Sequence, residues 1–173
     1  MRGSIVEVGA GTGADFPYFP SCVHVLAIEP NRSMMARAQA RVLQSPATID
    51  LCVADDSALE MLEPESVDAV VFPLVLCSID EPLRALDRAR RVLRPAGRLV
   101  VLEHVRGHGR IGRIQDALLP IWRRIGGGCR PNQDTRRLIE HSGFVTDKLQ
   151  QRRISRFSPI QDLLIGYASL PKL

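Results

Sequence analysis

Long apolar runs are missing from this chain. The longest, Ala69 to Ile79, is interrupted by Pro73 and is too short to cross a bilayer. No signal-peptide pattern precedes the first strand-like segment, so neither secretion nor membrane insertion is expected. Paired cysteines are missing too. Cys22, Cys52, Cys77 and Cys129 are scattered without a C-x-x-C spacing. They read as inert, mostly buried thiols: no disulfide framework and no metal are expected, and a reducing cytoplasm fits. Lysine is nearly absent, because 21 of the 23 basic residues are Arg, spread along the chain. The net charge of +4 therefore reads as a solvated basic surface, and no nucleic-acid partner is expected. Repeats, low-complexity tracts and linkers are absent as well. With 173 residues and an ordinary hydrophobic share of 45%, the chain is expected to be one domain, residues 1–173, with a single core.

What is present is an alternation of strand and helix signals. Ser4–Val8, Val23–Ile28, Ile49–Val53, Val67–Phe72 and Arg98–Val105 are short apolar runs of strand length. Between them lie a helix from Arg32 to about Leu43, with Asn31 as its cap, and another over Glu81–Leu93. On the second, Leu83, Leu86, Ala89 and Val92–Leu93 share a face, and Pro95-Ala96-Gly97 is expected to end it. Arg113–Ile125 and Asp134–Ser142 read as later helices, and Phe144–Gln150 with Asp162–Ala168 as a final antiparallel pair. This order predicts an α/β fold: a Rossmann-like, seven-stranded, mostly parallel sheet with helices on both faces and the last strand antiparallel.

The turn after the first strand carries the strongest chemical signal. In Glu7-Val8-Gly9-Ala10-Gly11-Thr12-Gly13 the glycines let the backbone turn sharply and approach a ligand closely. Gly9-x-Gly11-x-x-Ala14 also fits a dinucleotide fingerprint, but that loop must open directly into a helix that holds the pyrophosphate. Here Phe16-Pro17-Tyr18-Phe19-Pro20 follows, and two close prolines oppose a long helix. The loop thus fits S-adenosylmethionine (SAM), which has no phosphate, better than a nicotinamide dinucleotide. Glu29 ends the second strand, where a carboxylate can accept both ribose hydroxyls; a solvated charge is the plain alternative. Asp55 and Asp56 follow the third strand. One of them can accept from an adenine amino group, or both can serve turn chemistry.

These segments, with Ile28-Glu29-Pro30-Asn31, Val67-Asp68-Ala69-Val70-Val71 and Arg91-Val92-Leu93-Arg94-Pro95-Ala96-Gly97-Arg98-Leu99, resemble the successive motifs of class I SAM-dependent methyltransferases. The resemblance implies SAM as cofactor. Glu7, Gly9, Ala10, Gly11 and Gly13 would surround its methionine part, Glu29 and Pro30 its ribose, and Asp55 or Asp56 its adenine. Leu74 would line the same pocket, and Met34 or Met35 would pack on the adenine or join the helix core. Folds of this family usually place helices before the first strand, and those cap helices are expected to be missing here. A narrower resemblance, to small alkyl-thiol methyltransferases, rests on Leu74-Val75-Leu76-Cys77-Ser78, Leu102-Glu103-His104-Val105, Gln115-Asp116, Trp122-Arg123-Arg124 and Gly126 to Thr135. The hydrophobic N-terminal anchor of those relatives is expected to be lacking here, so membrane attachment is not expected to carry over, although peripheral contact stays open.

Methyl transfer by direct displacement chiefly requires alignment of nucleophile and methyl group. The segment Pro73-Leu74-Val75-Leu76 lacks the Asn/Asp-Pro-Pro-aromatic motif of amino methyltransferases on DNA or glutamine, and no Pro-Cys nucleophile is present. A small apolar acceptor is expected, a thiol first. A lipid- or quinone-like amine or hydroxyl is the alternative, as is SAM binding without turnover. His104 is the candidate general base, or a histidine simply hydrogen-bonded at a strand end. Asn132 and Asp134 either cap a helix or line the pocket beside a glycine lid. The sequence leaves the oligomeric state open.

Overall fold

The structure, a computed structural model, describes residues 3–154 and 162–171. Seven strands form one sheet: β1 (Gly3–Val8), β2 (Val23–Ile28), β3 (Thr48–Cys52), β4 (Val67–Pro73), β5 (Leu93–His104), β6 (Leu149–Arg153) and β7 (Asp162–Ser169). Their order across the sheet is β3-β2-β1-β4-β5-β7-β6. Only β7 is reversed: it pairs antiparallel with β5 on one side and β6 on the other. The seven-stranded, mostly parallel Rossmann-like sheet expected from the sequence is therefore the one found.

Alternate residues of each strand face opposite sides, and both sides are covered. Val6 and Val8 of β1 and Ile28 of β2 join one core with Leu86, Ala89 and Val92 of helix α2 (Pro82–Val92). Ile139 of a later helix, α4 (Thr135–His141), adds to that side. Val25 and Ala27 join the other core with Phe16 and with Met35 and Ala38 of helix α1 (Arg32–Val42). The Asn31 side chain caps α1 by accepting from Ser33 and Met34 N–H at 2.9 and 3.2 Å. Pro82 starts α2, where its missing N–H has no helical partner to lose.

Some boundaries moved. The second helix stops at Val92, and β5 begins at once; Pro95-Ala96-Gly97 lies in a register shift of β5 against β4 instead of ending the helix. Leu83 is exposed and Ala85 takes its place in the core, because the buried stripe of α2 runs through Ala85, Leu86, Ala89 and Val92. The sixth strand is Leu149–Arg153, not Phe144–Gln150. Phe144 is buried in the loop before it, and Val145 makes only an isolated bridge to Ser169. Two short 3-10 turns, Phe16–Tyr18 and Asp56–Met61, were not anticipated. The first occupies the place where a dinucleotide-binding chain would need a long helix, and Pro17 stands inside it.

Strands β1 to β3 build the sheet in one direction and β4 and β5 in the other. The order reverses between β1 and β4, and in open α/β sheets the ligand crevice opens at the carboxyl ends on either side of such a reversal. Helix α3 (Arg110–Ile125) follows β5 and buries little beyond Gly112 and Gln115, leaving Ile114, Leu118, Ile121 and Ile125 exposed.

Candidate cofactor and acceptor site

A cavity of about 850 Å³ occupies that crevice. Val8, Gly9 and Gly11 line it from the first turn, Glu29, Pro30, Asn31 and Met34 from the second, and Asp55 and Asp56 from the third. Leu74 and Val75 close the β4 side, and Gly126 and Gly127 reach over from the end of α3. A larger groove of about 1300 Å³, lined by Arg90, Arg91, Pro95 and Tyr167 among others, lies at the opposite edge of the sheet, away from every glycine of the first turn.

The glycine loop is tight for a specific reason. Gly9 has φ +78°, and a Cβ there would lie 2.4 Å from a methyl carbon of Val75. The first turn thus touches the segment after β4 directly. Gly11 also has positive φ, and its N–H donates to Glu29 Oε2 at 3.0 Å. The other carboxylate oxygen of Glu29 accepts from Asn31 N–H at 2.8 Å. This nearly buried carboxylate ties the first turn to the second and keeps lone pairs free toward the cavity.

Glu7, Ala10 and Gly13 do not line the cavity. Ala10 is buried, its N–H bonded to the Ile28 carbonyl, and Gly13 packs against the Phe16 ring. Both shape the loop from behind. Glu7 is 1% exposed, and neither of its carboxylate oxygens has a hydrogen-bond partner. Burial, with the charge of Asp15 adding to it, pushes its pKa up to about 8.

The two aspartates after β3 have different surroundings. Asp56 is paired with Arg88 at 2.6 Å, both side chains largely buried. Asp55 accepts from the Ser57 hydroxyl and from Ser57 N–H at 2.9 Å, and the hydroxyl first, then the N–H, hold it below the usual carboxylate range. Asp55 is the more exposed of the two toward the cavity. Met34 faces the cavity, whereas Met35 belongs to the core.

Glu103, the neighbour of His104, is a site residue that the sequence motifs do not single out. It is fully buried, and its Oε1 accepts from Val75 and Leu76 N–H at 2.7 and 2.6 Å, its Oε2 from Cys77 N–H at 3.3 Å. Burial raises its pKa well above the ordinary value, and the three N–H donors work against that rise. Its grip forces the turn at Leu74, which holds φ +58° although it is not glycine. An L-residue in that region costs on the order of 1–2 kcal/mol. The signal for Glu103 was legible in principle, as one carboxylate inside an apolar central strand. His104 is half-buried and does not line the cavity; its Nδ1 lies 3.9 Å from Cys129 Sγ. Asn132 donates to Asp116, and Asp134 caps α4, so neither joins the cavity wall.

A general methyltransferase domain matches residues 6–101, from β1 into β5. This chain belongs to the methyltransferase-domain family. It is 34% identical to thiol S-methyltransferase TMT1B of Rattus norvegicus over 95% of this chain and 70% of that protein. Thiol S-methyltransferase TMT1A of Homo sapiens is also 34% identical, over 85% of this chain and 62% of that one. Among solved structures, a SAM-dependent methyltransferase of Methanosarcina mazei superposes with a TM-score of 0.76, covering 99% of this chain and 94% of that one at 18% identity. The protein is a methyltransferase with a Rossmann-like fold, and among its described residues no helix is long and apolar enough to cross a membrane.

Replacing Glu103 with Ala would strand three backbone N–H groups, two of them fully buried. A loss of about 3 kcal/mol in unfolding free energy is expected, measured by urea denaturation. Faster amide exchange confined to residues 75–77 would locate the damage, and exchange unchanged there would contradict the assignment.

Proposed function

We propose that this methyltransferase transfers the methyl group of SAM to small thiols, with the 850 Å³ crevice holding cofactor and acceptor together. The single observation that carries the choice of acceptor is the 34% identity to two proteins named as thiol S-methyltransferases, spanning most of this chain. The apolar side chains of Leu74 and Val75 on the β4 wall support a small, weakly polar acceptor.

The residues fit the cofactor. Glu7, behind the cavity wall at the head of the glycine loop and beside Asp15, is a buried carboxylate suited to an ammonium group. Glu29 fixes the two turns and offers its remaining lone pairs to a pair of vicinal hydroxyls. With Asp56 spent on Arg88, Asp55 is the carboxylate left to accept from an adenine amino group. Met34 covers the same end. SAM supplies an electrophilic methyl group on a positively charged sulfur, and the displacement needs no covalent bond to the protein. The chain's task is to exclude water, align the acceptor sulfur with that methyl group and let the thiol proton leave.

The expected activity is methylation of small alkyl thiols, read as thioether formation from labelled SAM. Transfer to lipid-like amines or quinols with none to thiols would overturn this reading. Glu29→Ala is expected to raise the dissociation constant of S-adenosylhomocysteine about 10- to 100-fold, from the loss of charge-assisted hydrogen bonds. Unchanged affinity in a calorimetric titration would remove Glu29 from the ribose site.

Glu7 adds a pH signature. Its folded-state pKa lies above the ordinary carboxylate value, so the folded chain holds a proton there that the unfolded chain has lost. Its contribution to stability is therefore present at low pH and falls as pH rises from about 4.5 to about 8. Glu7→Gln is expected to flatten that fall, raising stability at pH 8 by an amount on the order of a few kcal/mol. If Glu7 receives the cofactor's ammonium group, binding of S-adenosylhomocysteine near neutral pH releases a proton. The calorimetric enthalpy then depends on the buffer's ionisation heat in the parent chain and loses that dependence in Glu7→Gln. Equal dependence in both would exclude the contact.

A further inference from the structure

Behind the wall of the crevice three soft or borderline donors converge. The Sγ atoms of Cys77 and Cys129 lie 3.2 Å apart, and Cys129 Sγ is 3.9 Å from His104 Nδ1. The donor atoms of all three residues fall within 4.8 Å of one another, the only such cluster of His, Cys, Asp or Glu among the described residues. Each comes from a separate piece of chain: the segment after β4, the end of β5 and the loop after α3. Both cysteines are buried and free.

The backbone around the cluster is fixed from several directions. Cys77 N–H is held by Glu103, and its carbonyl accepts from Arg130 N–H at 2.8 Å and from the Arg130 side chain. Cys129 N–H donates to the Gly126 carbonyl at 3.1 Å. The Arg130 guanidinium also reaches the carbonyl of Ile79. The side chains are thus delivered to one point by chain that is anchored elsewhere. Preorganisation of this kind is what a metal site requires of its ligands.

Two sulfurs at 3.2 Å are more than 1 Å too far apart for a disulfide, whose S–S distance is about 2.05 Å. At a tetrahedral zinc ion with Zn–S near 2.3 Å, two thiolate sulfurs sit about 3.8 Å apart. That spacing needs only a small opening of the pair. In the resting site two thiolates and a divalent cation sum to zero charge, which suits a buried position, and an acceptor thiolate adds one negative charge that methyl transfer removes. Two cysteines and one histidine make a donor set suited to zinc, and three protein ligands leave a fourth position open.

We propose that Cys77, His104 and Cys129 bind a zinc ion, and that its fourth position takes the acceptor thiol as thiolate. The location supports that use. Ser78, beside Cys77, and Gly126 and Gly127, just before Cys129, line the cofactor crevice. The thiol releases its proton to solvent on binding the ion. Its sulfur then forms a bond to the methyl carbon as the carbon–sulfonium bond breaks, giving a thioether and S-adenosylhomocysteine. A neutral thioether is a poorer ligand than a thiolate and leaves. In this arrangement His104 is a metal ligand and not the general base considered from the sequence.

The acceptor role rests on the thiol reading above, but the metal site can be tested separately. The chain, purified under reducing conditions and stripped with a chelator, is titrated with cobalt(II) and then zinc(II). One cobalt per chain is expected, with thiolate-to-metal charge-transfer absorption that zinc abolishes. Cys129→Ser and His104→Asn should each weaken the affinity roughly tenfold or more. A double Cys22→Ser, Cys52→Ser variant should keep both stoichiometry and spectrum, and thermal melting checks that each variant folds. Absence of the absorption band, or its survival in Cys129→Ser, overturns the site. So does recovery of the pair as a disulfide, two hydrogens light by mass, that forms in preference to metal uptake. Thiol methylation undiminished after stripping overturns the acceptor role while leaving the thiol reading intact. Zinc uptake by these three residues without any thiol methylation upholds the site and overturns the thiol reading with the acceptor role.

Discussion

The cavity depends on one buried carboxylate. Glu103 gathers the N–H groups of Val75, Leu76 and Cys77, three successive donors at the end of a strand that burial leaves in need of a partner. Because these donors point at one residue, the chain leaving β4 must double back instead of continuing as strand. Leu74 absorbs the reversal in its strained backbone. Val75 is then pressed beneath Gly9, which explains why no Cβ is tolerated there. Cys77 is aimed at Cys129. The wall of the crevice and the convergence of thiols behind it thus share one cause.

A second carboxylate performs the matching task on the other side. Glu29 clamps the N–H groups of Gly11 and Asn31, so that two turns from different strands are tied to one carboxylate. Glu7 differs from both, as it sits buried with neither oxygen bonded. Two satisfied carboxylates and one unsatisfied carboxylate within the same sheet edge make a useful contrast. The satisfied ones organise backbone, and the unsatisfied one stores a penalty that a cationic ligand group relieves.

The first five strands were legible because each is a short apolar run closed by turn chemistry, and burial on both faces leaves no other reading. The sixth was misplaced because Leu149-Gln150-Gln151-Arg152-Arg153 is an edge strand with a single buried residue, so it carries no apolar pattern. Phe144 gave the misleading signal: it is apolar and buried, but it packs from a loop. Within the site, Glu29 and the glycines were readable from their position after a strand. The division of labour between Asp55 and Asp56 was not, since it turns on Arg88, 32 residues away from Asp56. The closeness of Cys77 and Cys129 was likewise invisible, because 52 residues of chain separate them and no local spacing betrays the meeting.

The reversed strand β7 has a consequence for how the chain comes to its shape. It is synthesised after every strand it touches, yet it lies inside the sheet, between β5 and β6. Until it arrives, β5 keeps an open edge on the side away from β4, and β6 has no strand to pair with. Such edges invite association with other chains. The non-local pairing of β7 with β5 that covers this edge is slow to find its register, and β6 stays as the outer edge of the finished sheet. The sheet of this methyltransferase therefore gains its outermost strand only through one made later, and the β5 edge stays exposed until the residues up to 169 have been made.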